Sequence, residues 1–184
     1  MNWEPPIRTM LADGRDRRSL GRAGLVIALV SADTERFDEL FACLGDSDPL
    51  VRVRAADAVE KVSRARPELL ARHKRWLLEA LPDDSESQVR RHASQMLARL
   101  DLNAAEHVQA VAALMRRLGD SSRFVQTAAL DSLAKLATRD DALRPGVRAL
   151  LTDRLEDSSS AVRARAGALL RALPADGGDR ARSR

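Results

Sequence analysis

One phrase recurs along this chain: "LGDSDPLVRVRAADAVEKV" from Leu44, "LPDDSESQVRRHASQMLARL" from Leu81, "LGDSSRFVQTAALDSLAKL" from Leu118 and "LEDSSSAVRARAGALLRAL" from Leu155. Aligned on Val51, Val89, Val125 and Val162, the copies follow one another at 38, 36 and 37 residues. Asp stands five positions earlier each time, as Asp46, Asp84, Asp120 and Asp157. Ala stands four positions later, as Ala55, Ala93, Ala129 and Ala166. Aliphatic residues follow at eight (Val59, Leu97, Leu133, Leu170) and eleven (Val62, Leu100, Leu136, Leu173). A fixed period of this length means that one supersecondary unit is written repeatedly, each burying its apolar face only against its neighbours.

Offsets of 0, 4, 8 and 11 lie on one face of a helix, because residues three and four apart share a face. The small residue at offset 4 lets a neighbouring helix approach closely, and the Asp-rich turn before the stripe offers caps for the first-turn amides. Upstream of every turn lies another amphipathic run: Asp33–Leu44, Pro67–Leu81, Asn103–Leu118 and Arg144–Leu155. Asn103 with Glu106 reads as a capping box, while Pro67 and Pro145 suit a first helical turn. A weaker opening copy pairs Ile7–Asp13 with Ser19–Val30, where Ser19, Ala23, Ile27 and Val30 take the stripe positions.

The reading is therefore all-α: a solenoid of about five helical hairpins, at about 7–30, 33–62, 67–100, 103–136 and 141–173, forming one repeat domain over 1–173. Residues 174–184, with Gly177 and Gly178 and no apolar anchor, read as a disordered basic tail. Aromatics at 3% and no Tyr leave Leu, Ala and Val to build the core. A net charge of +4 is mild and suggests only modest attraction to acidic partners. "GLVIALV" (Gly24–Val30) is too short to span a bilayer, so a cytoplasmic location is expected.

The core "D-x-x-x-x-V-R-x-x-A", present as Asp46/Val51/Arg52/Ala55, Asp84/Val89/Arg90/Ala93 and Asp157/Val162/Arg163/Ala166, resembles the HEAT repeat of the armadillo-like superhelix family. The fourth copy departs, with Gln126 in the Arg place. The resemblance implies that Asp46, Asp84, Asp120 and Asp157 join Arg52, Arg90 and Arg163 in a structural ladder between repeats. It also implies that the second helices line a concave groove.

On that basis, offsets 2, 3, 6, 9 and 10 face the groove, where seven cations (Arg54, Lys61, Arg91, Arg99, Lys135, Arg165, Arg171) outnumber three anions (Asp57, Glu60, Asp131). With His92 added, these cations are the candidate binding residues. They suit an acidic segment of another protein, or nucleic-acid phosphates. In the opening copy Leu25 and Leu29 form an apolar patch, which a partner, a second copy or the segment from Met1 to Pro6 with Trp3 could cover.

Chemistry finds little footing. His73, His92 and His107 are scattered and none stands at metal-ligand spacing from Cys43, so no metal and no cofactor are expected. No phosphate loop, HExxH or nucleophile elbow occurs. "RHKRW" (Arg72–Trp76) reads as a solvated helix side with Trp76 filling a core gap. HEAT-fold DNA glycosylases resemble this chain in fold and basic groove, yet their groove aromatics and catalytic Asp have no counterpart here. The expected role is a non-enzymatic scaffold for protein–protein interaction, with nucleic-acid backbone binding as the alternative.

Overall fold

The computed structural model describes residues 5–14, 22–79 and 84–175, and among them the regular structure is helical with no strand. The chain divides into two compact units, Met1–Asp101 and Leu102–Arg184. The first unit holds α1 (Ile7–Ala12), α2 (Ala23–Ala32), α3 (Phe37–Ala42), α4 (Pro49–Ala65), α5 (Lys74–Glu79) and α6 (Ser87–Leu97). The second holds α7 (Ala104–Arg117), α8 (Arg123–Arg139), α9 (Arg144–Asp153) and α10 (Ser160–Ala172). Ser19, Trp3 and the tail from 176 onward lie outside the described residues.

The second helix of each repeat buries its stripe. Val51, Ala55, Val59 and Val62 on α4 are at most 2% exposed. Val89, Ala93, Leu97 and Leu100 on and after α6, and Val125, Ala129, Leu133 and Leu136 on α8, are at most 4% exposed. In the last copy Val162, Ala166 and Leu173 are buried, while Leu170 is half-exposed. Each fully buried Val or Leu contributes roughly 1.5–3 kcal/mol relative to exposure, and the Ala at offset 4 is at most 1% exposed in every copy. The most extensive helix–helix packings in the first unit are α4 with α6 and α2 with α4; in the second, α8 packs with α10 and α7 with α8.

The first helices of the repeats are more broken than the periodicity suggests. The run expected over Asp33–Leu44 is a 3-10 turn (Thr34–Arg36), α3, and a second 3-10 turn (Cys43–Gly45). The run from Pro67 begins with a 3-10 segment, Pro67–His73, before α5. Short tight turns at helix ends are ordinary; nothing in the structure explains a seven-residue one. The start of α7 is as expected: Asn103 Oδ1 accepts from Glu106 N at 3.0 Å and Glu106 Oε2 accepts from Asn103 N at 2.8 Å.

The Asp-rich turns differ from expectation in an instructive way. Asp46, Asp84, Asp120 and Asp157 do not cap the helix that follows. Each accepts instead the amide two residues on, at 2.8–2.9 Å, from Asp48, Glu86, Ser122 and Ser159. That local turn turns the Asp carbonyl toward the side chain six residues later. Arg52 Nη1 takes Asp46 O at 3.0 Å, Arg90 Nη1 takes Asp84 O at 2.9 Å, and Arg163 Nη1 takes Asp157 O at 2.6 Å. Gln126 Nε2 takes Asp120 O at 2.6 Å, so an amide does the same work where the guanidinium is missing. Only Asp48, the N-cap of α4, caps directly, accepting from Leu50 N at 2.8 Å.

Candidate protein-binding surface

The ladder residues extend beyond their own turns within the first unit. Arg52 Nε donates to Asp84 Oδ2 of the next turn at 2.8 Å while its Nη1 still holds Asp46 O. Arg8, which the repeat pattern does not single out, donates to Asp46 Oδ2 at 2.7 Å. This bond first, and the Asp48 amide second, hold the Asp46 carboxyl below the usual carboxylate range. In the second unit the Ser159 amide does the same for Asp157, with Arg154 assisting at 3.1 Å.

The second helices present a narrower open face than a single helix wheel predicts. On α4, on and just after α6, and on α8, offset 3 (Arg54, His92, Ala128) and offset 9 (Glu60, Ala98, Ala134) are buried, whereas on α10 the same offsets, Arg165 and Arg171, are exposed. Offsets 2, 6 and 10 stay accessible, as Val53/Asp57/Lys61, Arg91/Gln95/Arg99 and Thr127/Asp131/Lys135. The physical reason is that each such helix packs side by side with others of its kind, which swallows the flanks of the wheel and leaves one i, i+4, i+8 stripe.

Three candidate binding residues are accordingly relocated. Arg54 is 1% exposed, and its Nη1 donates to Leu11 O at 2.6 Å and Asp13 O at 2.8 Å, its Nη2 to Gly14 O at 3.1 Å. These carbonyls close α1, where orphan acceptors and the negative end of the dipole favour a cation. Gly14, at φ 85°, supplies the left-handed turn that aims its carbonyl inward. His92 is 6% exposed, with Nδ1 3.2 Å from Gln95 Oε1 and Nε2 3.9 Å from Asp57 Oδ1. Arg99 is spent on Glu60: its Nη2 pairs with Glu60 Oε1 and its Nη1 donates to Glu60 O at 3.1 Å. Arg64 Nη2 takes the other carboxylate oxygen at 2.7 Å. Burial alone would raise the Glu60 carboxyl, but the bonds from Arg64 and Arg99 bring it below its ordinary value.

The remaining candidates keep some accessibility. Lys61 pairs with Asp57 at 2.7 Å, and Arg165 pairs with Asp131. Arg91, Lys135 and Arg171 are exposed. Arg171 lies over Gly167, its Nη1 3.5 Å from where a Cβ would stand, alongside Leu155. The open side of these helices thus carries both signs, with Lys61 and Arg165 already paired to carboxylates.

Burial of His92, with the Arg91 charge adding to it, pushes its pKa below the ordinary value. An unfolded imidazole takes its proton near pH 6.5, its ordinary value. The folded one resists until lower pH. The stability held by neutral His92 is therefore full above about pH 6.5 and is lost as pH falls toward the folded value. Depressed carboxyls at Asp46, Glu60 and Asp157 add a second loss only below about pH 4. Thermal melts are expected to fall as pH drops below about 6.5; His92→Gln is expected to flatten that first decline and leave the acid limb intact.

One exposed aromatic was not singled out from the sequence. Phe124, at offset −1, is 60% exposed, with the Arg123 guanidinium 5.4 Å from its ring centroid. It borders an open depression of about 690 Å³ in the second unit, lined also by Ser121, Ser122, Gln126 and the turn Asp157–Ser160. Among the described aromatics Phe37 and Phe41 are buried and Trp76 is half-buried. The signal available was position: a large aromatic stands where the other copies carry Leu50, Gln88 and Ala161.

Residues with potential chemistry have structural work. His73 stacks on Phe41 at 3.7 Å between centroids, its Nε2 2.8 Å from Asp38, which also holds Arg72 at 2.7 Å. Trp76 meets Phe41 edge-on at 5.3 Å, and Lys74 donates to Asp101 O at 2.9 Å, so "RHKRW" packs and pairs. Cys43 is buried and its thiol is pushed up to about 11, first by burial and then by Asp46 and Glu39. Among the described residues no group of His, Cys, Asp or Glu is placed to hold a metal ion, and no helix is long and apolar enough to cross a membrane.

A family model described as HEAT repeats matches residues 74–171. Among solved structures, an engineered protein from a structural genomics programme is similar over 91% of this chain and 78% of its own, at 19% identity and a TM-score of 0.63. A crystal structure of computationally designed armadillo repeat proteins for modular peptide recognition is similar over 90% of this chain and 80% of its own, at 19% identity and a TM-score of 0.56. No curated protein sequence matches the chain.

Proposed function

The chain belongs to the HEAT-repeat family, and on that premise we propose that it is a non-enzymatic, cytoplasmic scaffold that binds another protein along the open face of its second helices. Repeats of this family serve in general as protein-binding scaffolds, and the designed armadillo proteins of similar fold were made for peptide recognition. The observation that carries the reading is Phe124 with Arg123: an exposed aromatic beside a guanidinium, at the rim of the open depression. Exposed aromatic and Arg side chains are the residue types that concentrate binding energy at interfaces.

The partner segment this suits combines an apolar side chain for Phe124 with acidic groups for Arg123, Lys135 and Arg171. Backbone-directed nucleic-acid binding draws less support, because Lys61, Arg99 and Arg165 already have carboxylate partners. A protein partner co-purified with the chain is expected to be lost, by at least about tenfold in affinity, on Phe124→Ala, with the thermal melt unchanged since the ring is exposed. Equal recovery by wild type and variant would refute the assignment, and steep loss of nucleic acid with salt would favour the alternative.

A further inference from the structure

α2 is the one second helix without a charged residue in its span, and one side of it is open. Ala23, Val26 and Val30 are buried, whereas Gly24, Leu25, Ala28, Ser31 and Ala32 are exposed, Leu25 by 60%. Gly24, Ala28 and Ala32 recur every fourth residue and form a small-residue ridge along that side. Among the described residues nothing lies within 4 Å of where a Cβ on Gly24 would stand, so their packing does not require a glycine there. A helix apolar on all sides is ordinarily covered.

The charges at the helix ends say what covers it. Arg22 stands at the N-cap and Asp33 at the C-cap of α2, each beside the like-signed end of that dipole, while the Asp33 carboxylate also caps the turn Thr34–Arg36, accepting from Glu35 N at 3.1 Å. Laid antiparallel on an identical helix, Arg22 comes beside the C-terminal end and Asp33 of the second copy, and Asp33 beside the opposite N-terminus. Both charges then sit at the favourable dipole end and next to an opposite charge. Ala28 meets Ala28 at the crossing, and Gly24 faces Ala32, which permits close backbone approach. Among the described residues Arg22 pairs with Asp13 at 2.7 Å, with both side chains about half exposed, a pairing that solvent screens heavily.

We propose that the chain forms a two-fold symmetric dimer by antiparallel packing of α2 on α2 of a second copy. The contact is self-complementary and therefore closed, and it continues the side-by-side packing of second helices seen between α2 and α4. A single pair of ten-residue helices lies at the small end of specific interfaces, so the dimer is reversible, with a Kd on the order of micromolar to tens of micromolar. It does not depend on the open-face reading, and Phe124→Ala leaves it unchanged.

Sedimentation velocity of the full chain from about 1 to about 300 µM tests it. Wild type is expected to pass from monomer to dimer. Ala28→Arg, on an exposed helical site, is expected to weaken the dimer at least about 100-fold. Arg22→Glu alone is expected to weaken it, and adding Asp33→Arg to restore it, a rescue that needs no bulky side chain. Val108→Arg, on the separate exposed apolar patch of α7, is expected to leave it intact. A monomer at every concentration, an assembly larger than two, a dimer indifferent to Ala28→Arg, no rescue by the charge exchange, or dissociation by Val108→Arg would each overturn the proposal.

Discussion

Replacing Glu60 with alanine is expected to lower the stability of the first unit by about 3 kcal/mol. The side chain is 2% exposed and receives two guanidiniums, Arg64 from its own helix and Arg99 from the turn just after α6. Arg99 is itself only 13% exposed. Removing the carboxylate leaves that largely enclosed cation with backbone and hydroxyl acceptors, Glu60 O and Ser63 Oγ. An uncompensated buried charge is what makes such changes costly, more than the loss of the pair itself. Glu60→Gln keeps the shape and an acceptor and is expected to cost about half as much. Urea unfolding followed by circular dichroism checks both; a change below about 0.5 kcal/mol in Glu60→Ala would contradict the network.

Arg54→Ala carries the second large effect, expected at about 3 kcal/mol and concentrated on α1. One side chain satisfies three carbonyls at the end of that helix, those of Leu11, Asp13 and Gly14. Without it they face a cavity rather than water. Hydrogen exchange over residues 7–14 is expected to accelerate far more than over α4. Arg54→Lys should recover little, since an ammonium cannot span three acceptors in the guanidinium's planar fork. Uniform acceleration across the unit would mean that Arg54 supports the core at large and not the α1 terminus.

How far the sequence could be read follows from what a helix wheel contains. The stripes from Val51, Val89, Val125 and Val162 were legible because burial on the core side needs only a period. The Asn103 and Glu106 box was legible because both partners lie within one turn. Arg54, His92 and Glu60 were misplaced because the wheel shows a helix alone, whereas offsets 3 and 9 are decided by the helix alongside. The Asp turns were half legible: their recurrence was plain, but the choice between capping the helix and bonding the amide two residues on depends on backbone geometry. Arg8, thirty-eight residues from Asp46, carries no local signal at all. Phe124 did, as an aromatic at a position that other copies fill differently.

Photo-crosslinking in cells that naturally produce the chain tests the open-face role most directly. A photoreactive phenylalanine would replace Phe124 or Lys135 on the second-helix side, or Thr152, an exposed residue of α9, on the first-helix side. One protein captured from positions 124 and 135, and absent from 152, is the predicted result. Capture of the same protein only from 152, or of nothing from 124 and 135, would contradict it.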